Sequence, residues 1–284
     1  MRAKNFIEVS LKTRADAGEL LAELPQEGIL GVWEQDGTVC LYWSEEQWNR
    51  SIQQAIDNAA RRIGGSGRVI EPVVRVIADQ DWNAAWAASL QPIRIGPRVR
   101  IRQSWHERDP QFEGVELIID PKRAFGSGYH ATTQLVIEWL QENVRSGMRV
   151  LDVGTGSGIL AMVALRLGAA SALGIDNDSA AVECAREMAA INGFGSELKL
   201  VLASFDELDG GDFDLVTANL DGRTLRRLCP LLPKFLNKGA LACLSGFQRE
   251  DYGELTGILN KSRLRPGACR EREEWLALEV FNAA

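Results

Sequence analysis

One stretch, Arg149 to Asp178, constrains the chain more than any other. A short apolar run, Val150 to Val153, ends in Gly154-Thr155-Gly156-Ser157-Gly158. An apolar helical segment follows, and then a second apolar run, Ala172 to Ile175, that stops at Asp176. This is strand, glycine turn, helix, strand, acid. Glycines let a backbone turn tightly and approach a ligand with no Cβ in the way. An acid at the end of the second strand accepts hydrogen bonds from ribose hydroxyls. The stretch reads as a nucleoside-binding βαβ unit. Its spacing is G-x-G-x-G, not the G-x-G-x-x-G that seats a pyrophosphate on a helix N-terminus. Asp152 beside the turn would repel a pyrophosphate. That combination suits a phosphate-free cation such as S-adenosylmethionine and argues against a nicotinamide dinucleotide.

Upstream lies a separate pattern. Asn5 to Leu11 alternates, with Ile7, Val9 and Leu11 on one face. Residues 14–24 have helical composition and stop at Pro25. Residues 29–43 hold two β-rich runs around Asp36-Gly37, a hairpin signal. Residues 45–63 place Trp48, Ile52, Ile56, Ala59 and Ile63 on one helical face. After Gly64-Gly65-Ser66-Gly67, residues 69–77 read as a strand. The order β-α-β-β-α-β predicts a ferredoxin-like plait over 1–77. It carries no chemistry of its own, so it is either a recognition module or a structural appendage. Residues 78–92 form a linker helix, with Trp82 and Trp86 one turn apart and Pro92 at its end.

Residues 93–284 form the second domain. Arg98, Arg100 and Arg102 alternate with Val99 and Ile101, which predicts a strand with one solvated basic face. Residues 115–119 are a further strand, and a glycine loop, Asp120 to His130, leads into a helix that Thr132 or Thr133 caps. The loop also lies where it can fold over a ligand. Past Asp176 the pattern continues: helix 179–191, strand 198–203, strand 213–219, proline-broken helix 223–236, strand 241–244, helix 252–260, and strands at 265–272 and 274–281. Strands alternating with helices imply an α/β, mostly parallel sheet covered on both faces. Such sheets bind ligands beyond the carboxyl ends of their strands, where Gly154, Asp176, Asn219 and Ser245 all fall.

A net charge of −7 argues against unassisted nucleic-acid binding and fits a basic protein partner. Five cysteines with no C-x-x-C, and two histidines, give no zinc spacing and predict reduced thiols and no metal. The N-terminus lacks the apolar core of a signal peptide, and no apolar run is long enough to span a membrane. A cytoplasmic, monomeric protein is expected.

The residues now in view resemble the ribosomal protein L-eleven methyltransferases, the PrmA family. The landmarks run through nearly the whole chain: D-W-x-x-x-W with P-I-R-I-G (Asp81 to Gly96), D-P-x-x-A-F-G-x-G-x-H-x-T-T (Asp120 to Thr133), the glycine turn, G-I-D-x-D (Gly174 to Asp178), A-N (Ala218, Asn219), L-S-G (Leu244 to Gly246) and E-E-W (Glu273 to Trp275). The resemblance implies a class I, Rossmann-like methyltransferase domain with a doubly wound seven-stranded sheet, behind a ferredoxin-like substrate-recognition domain. It implies S-adenosylmethionine as cofactor, and methyl transfer to lysine side chains and the N-terminal amine of one ribosomal protein. The family's cofactor positions fall on Thr133, Gly154, Asp176 and Asn219. This chain departs from the family at Ser127, Tyr129 and Ala131 in the loop, at Thr155, and at Leu220-Asp221 after Asn219. The loop and the residue after Asn219 border the acceptor, so another protein lysine or a small molecule is the alternative target.

Within that chemistry, Asp176 is expected on the ribose, Gly154 and Gly156 beside the methionine part, and Thr133 on its carboxylate or amine. Phe125, Gly126 and Tyr129 bring the loop against the cofactor, with cation–π attraction from the two rings. Asn219 either orients the incoming amine or caps the following helix. His130 is either a general base or a brace for its loop.

Overall fold

The computed structural model describes residues 5–13, 20, 24, 28–35, 37–64, 71–78, 90–121 and 126–282. The chain divides into two compact units at residues 85/86.

The first unit holds β1 (Asn5–Lys12), β2 (Gly31–Gln35), β3 (Thr38–Ser44), α1 (Arg50–Gly64) and β4 (Val73–Ala78). All pairings are antiparallel, in the order β2-β3-β1-β4. That is the strand order of a ferredoxin-like plait. The period-two alternation sends Ile7, Val9 and Leu11 of β1 to the same side as Val39, Leu41 and Trp43 of β3, where they pack with Ile56, Ala59 and Ala60 of α1. α1 begins at Arg50, later than its apolar periodicity suggests. The reason is local: the Asn49 side-chain oxygen accepts from the amides of Ser51 (2.9 Å) and Ile52 (3.2 Å) and so caps the helix. Of the helix expected over 14–24, only Leu20 and Leu24 are described, and both are buried in this core. The linker helix with Trp82 and Trp86 lies outside the described residues apart from its ends.

The second unit opens with a three-stranded sheet of β5 (Ile93–Ile95), β6 (Val99–Arg102) and β7 (Val115–Ile118). The basic face expected here is not solvated. Arg100 and Arg102 both pair with Glu116 on the neighbouring strand, with side chains only 13% and 14% exposed. The Arg98 guanidinium donates to the Gln141 carbonyl. Opposite charges placed on adjacent strands explain the difference, because alternation marks a face but not what covers it.

The main sheet follows: α2 (Ala131–Asn143), β8 (Arg149–Val153), α3 (Ile159–Arg166), β9 (Ser171–Asp176), α4 (Ser179–Ile191), β10 (Leu198–Leu202), β11 (Phe213–Asn219), α5 (Gly222–Leu228), β12 (Leu236–Phe247), α6 (Arg249–Lys261), β13 (Leu264–Arg272) and β14 (Trp275–Asn282). Its seven strands run in the order β10-β9-β8-β11-β12-β14-β13. The pairs from β10 through β12 are parallel, and β14 is antiparallel to both neighbours. The central strands β8 and β11 are buried on both faces, which is why they read as nearly continuous apolar runs, whereas the edge strands β10 and β13 are largely exposed. Val150 and Leu215 belong to one apolar cluster with α2 and α3, and Leu151 and Val216 to the other with α5 and α6.

Two elements differ from their sequence reading. β12 starts at Leu236 because Asn237-Lys238-Gly239 does not end the strand; pairing with β11 jumps from Phe213↔Leu236 to Leu215↔Leu241 across a bulge. The helix expected over 223–236 is α5 followed by a separate short turn, Leu232–Lys234, with Pro233 inside it.

Candidate active site

Chain order and strand order reverse at β8 and β11, the switch point where such sheets open a crevice. A cavity of about 520 Å³ lies there, within the size range of small-molecule sites. Gly154 after β8, Asp176 ending β9 and Asn219 ending β11 all line it, as does Gly156.

The floor is the glycine turn. The amides of Gly154 and Thr155 both donate to the Ile175 carbonyl at 2.9 Å, and that of Gly156 donates to the Asp176 carboxylate at 3.0 Å. The other Asp176 oxygen accepts from the Asp178 amide at 3.0 Å. Position 154 requires glycine twice over: its φ is +72°, and a Cβ there would sit 2.3 Å from the Leu220 Cδ2.

Asn219 and Thr133 meet. The Asn219 amide nitrogen donates to the Thr133 hydroxyl at 3.3 Å, leaving its Oδ1 as an acceptor. Asn219 does not cap the next helix. Asp221 does, accepting from the Thr224 amide at 3.0 Å and its hydroxyl at 2.7 Å, and these bonds hold the Asp221 carboxyl below its usual range. Thr133 is 1% exposed and stands behind Asn219, while Thr132 lines the cavity. The cap of α2 is neither threonine but His130, whose Nδ1 accepts from the Thr132 amide at 3.4 Å and lies 2.8 Å from its hydroxyl. His130 also lines the cavity, with its ring edge-to-face against Trp275 at 5.1 Å.

Other sequence-chosen residues fall elsewhere. Phe125 lies outside the described residues. Gly126, at φ +106°, accepts from the Ser157 hydroxyl at 2.7 Å, so it rests on the glycine turn and does not itself line the cavity. The Tyr129 hydroxyl accepts from Gln103 at 3.1 Å and donates to the Gln91 carbonyl, tying the loop to the start of this unit. Ser245 lies inside β12, fully buried, with its hydroxyl on the Leu276 carbonyl at 2.8 Å. Asp152 does not face the ligand either. It is fully buried and accepts from the hydroxyls of Thr155 (2.7 Å) and Thr217 (2.8 Å). The expectation that it repels a pyrophosphate across the turn is therefore corrected.

Sequence reasoning also missed cavity residues: Ser204 and Phe205 after β10, Arg227 on α5, and Trp275 at the start of β14. Ser204 and Phe205 follow a strand end on the same edge, a signal that was present in the order of elements. The cavity suits a cationic nucleoside. Asp176, Asp178 and Asp221 line it, and the Arg227 guanidinium is neutralised by Asp206. That leaves no cationic cradle for a pyrophosphate among the described lining residues. Among the described residues, no group of three or more His, Cys, Asp or Glu could hold a metal ion, and no helix is long and apolar enough to cross a membrane.

Comparison with known proteins gives the family. The profile of the family described as ribosomal protein L11 methyltransferase (PrmA) matches residues 8–282. A ribosomal protein L11 methyltransferase of Symbiobacterium thermophilum is 37% identical over 233 residues, 82% of this chain and 75% of that protein. One from Pelobacter propionicus is 35% identical over 257 residues, 87% and 82% respectively. The crystal structure of ribosomal protein L11 methylase from Lactobacillus delbrueckii subsp. bulgaricus superposes with a TM-score of 0.63 at 30% identity, covering 67% of this chain and 98% of that one. The match runs from the first strand of the small unit to the last strand of the large sheet, and so the chain belongs to the ribosomal protein L11 methyltransferase (PrmA) family.

Proposed function

We propose that this protein methylates ribosomal protein L11 on amines, the lysine side chains and the N-terminus, in the cytoplasm and as a monomer. That it is an S-adenosylmethionine-dependent methyltransferase follows from its family. The convergence of Gly154, Gly156, Asp176 and Asn219 on one cavity at the switch point supports the cofactor site, and the names of the relatives support L11 as the target.

When bound, S-adenosylmethionine supplies an electrophilic methyl group on a good, neutral leaving group. The residues here hold and align. Asp176 would take the ribose hydroxyls, and the glycine turn, with no Cβ at Gly154 and Gly156, would receive the methionine part. Phe205, which lines the cavity, would pack on the base. Thr133 acts through Asn219 by fixing the orientation of its amide. Asn219 then presents Oδ1 to an N–H of the acceptor, aiming the nitrogen lone pair at the methyl carbon. The acceptor must be neutral to react, and a lysine near pKa 10.4 is nearly all protonated at neutral pH; withdrawal from water into the cavity lowers that value. Positioning of this kind accounts for most of what such a site supplies.

Incubating the protein with isolated L11 and labelled S-adenosylmethionine should give methyl-mass increments on L11 lysines or its N-terminus. Label on a different protein or on a small molecule, with L11 unmodified, would move the assignment to the alternative acceptor.

The first unit is assigned as the recognition module, since its sheet carries no site chemistry. A chain lacking residues 1–77 should keep its affinity for S-adenosylmethionine and lose at least about tenfold in kcat/KM for L11, roughly the value of one good docking contact. Methylation at the full rate would remove that role.

A further inference from the structure

Asp152 is the one carboxylate of the second unit that is both fully buried and outside the cavity wall, among the described residues that line or support the site. A buried charge is retained only where hydrogen bonds hold it. Its two oxygens hold different elements. One accepts from Thr155, the residue between Gly154 and Gly156 on the donor turn, at 2.7 Å. The other accepts from Thr217 at 2.8 Å. Thr217 sits directly opposite Asp152 in the β8/β11 ladder, two residues before Asn219. The period of two puts Thr217 and Asn219 on the same side of β11. Val153 and Ala218, which alternate with them, face the other way into the apolar cluster with α5 and α6.

We infer that Asp152 is a positioning residue for methyl transfer, tying the turn that carries the donor to the strand that carries Asn219 so that the two keep one spacing. This rests on the function proposed above and deepens it. The physical reason is the short reach available. In-line displacement needs the attacking nitrogen and the methyl carbon within roughly 3–3.5 Å before reaction. The donor is placed by one loop and the acceptor by the end of a neighbouring strand. The β8/β11 ladder ends at Val153↔Ala218, one residue short of Gly154 and Asn219, so no pairing between these two strands sets the final gap. The carboxylate bridges the two elements just before that point. The backbone bonds of Gly154, Thr155 and Gly156 fix the turn to the end of β9, and the Asp152 carboxylate adds a polar tie from the turn to β11. An ionised carboxylate accepting two hydroxyls is directional and makes stronger hydrogen bonds than a neutral acceptor.

The test is a double-mutant cycle on the two hydroxyls, with T155V, T217V, T155V/T217V, D152N, T155S and T217S in the full chain. Two quantities are read below the melting onset of the least stable variant: the dissociation constant for S-adenosylmethionine by calorimetry, and kcat with KM for L11. A tie through one carboxylate predicts non-additivity. Each valine variant should lower kcat about tenfold, the size of one buried charge-assisted hydrogen bond. The double variant should also fall about tenfold, not a hundredfold, and D152N should match it. KM for L11 should stay within about twofold, and each serine variant, which keeps the hydroxyl, should recover kcat. The same non-additivity should appear in the S-adenosylmethionine dissociation constant, which needs no acceptor. If L11 proves not to be the substrate, this second cycle still decides the matter. Multiplicative losses in either quantity, or melting temperatures that fall while kcat and the dissociation constant hold, would overturn the inference.

Discussion

Replacing Asp176 by alanine should weaken S-adenosylmethionine binding by a hundredfold or more, as measured by titration calorimetry. The carboxylate has two structural bonds and one proposed ligand role. One oxygen holds the Gly156 amide and the other the Asp178 amide, both at 3.0 Å. Loss of the first releases the glycine turn, and loss of the second loosens the start of α4, whose cap is Asp178. The ribose contacts go with them. A hydrogen bond to a charged group contributes about 1.5–3 kcal/mol, and about 2.7 kcal/mol is a hundredfold in affinity. Two such bonds therefore suffice even if the turn partly relaxes. Asp176→Asn, which keeps one acceptor oxygen, should fall between, about tenfold weaker than the native protein. Unchanged affinity in the alanine variant would remove Asp176 from the site.

The second large effect is a pH dependence of stability that Asp152→Asn should erase. Burial drives the Asp152 carboxyl up to about 6 from an ordinary value of 3.8. The hydroxyls of Thr155 and Thr217 and the Ala161 amide pull it back down, and the nearby Asp176 charge raises it further. The folded protein thus binds this proton more tightly than the unfolded chain does. Its contribution to stability is fully present below about pH 4 and is lost as pH rises through about 6. A shift of about two units corresponds to about 3 kcal/mol at 1.36 kcal/mol per unit. Urea denaturation across about pH 4 to 7 should show the native protein losing that amount relative to Asp152→Asn, superimposed on the titration of all other groups. Parallel curves for the two proteins would show that Asp152 titrates alike in both states.

Much of this could be read from residue order. Alternation located β1 and the hairpin, and the run from Val150 to Asp176 set both the parallel sheet and the turn. Gly154, Asp176 and Asn219 were legible because each stands where an apolar strand stops, and parallel strands stop on one edge. Other features depend on neighbours that a linear chain does not display. Asp152 sits one residue inside its strand, where the pleat turns it between elements and away from the crevice. The arginines of β6 looked solvent-facing until Glu116 arrived on β7. Ser245 looked like a strand end because Gly246 follows it, yet pairing with β14 carries β12 on to Phe247. Trp275 was hidden for a topological reason: nothing local says that β14 inserts between β12 and β13.

That insertion changes which part of the chain reaches the ligand. The parallel strands β8, β9 and β11 bring their last residues, Val153, Asp176 and Asn219, to the crevice, but β14 runs against them and delivers its first, Trp275. It is preceded by a two-residue hairpin turn, Glu273-Glu274, with Arg272 paired to Trp275 and Glu273 at φ 57°. The hairpin tip thus carries two exposed glutamates immediately before the tryptophan that lines the crevice. A charge change at that tip would alter the approach to the crevice while leaving the Asp176 and Asn219 contacts in place.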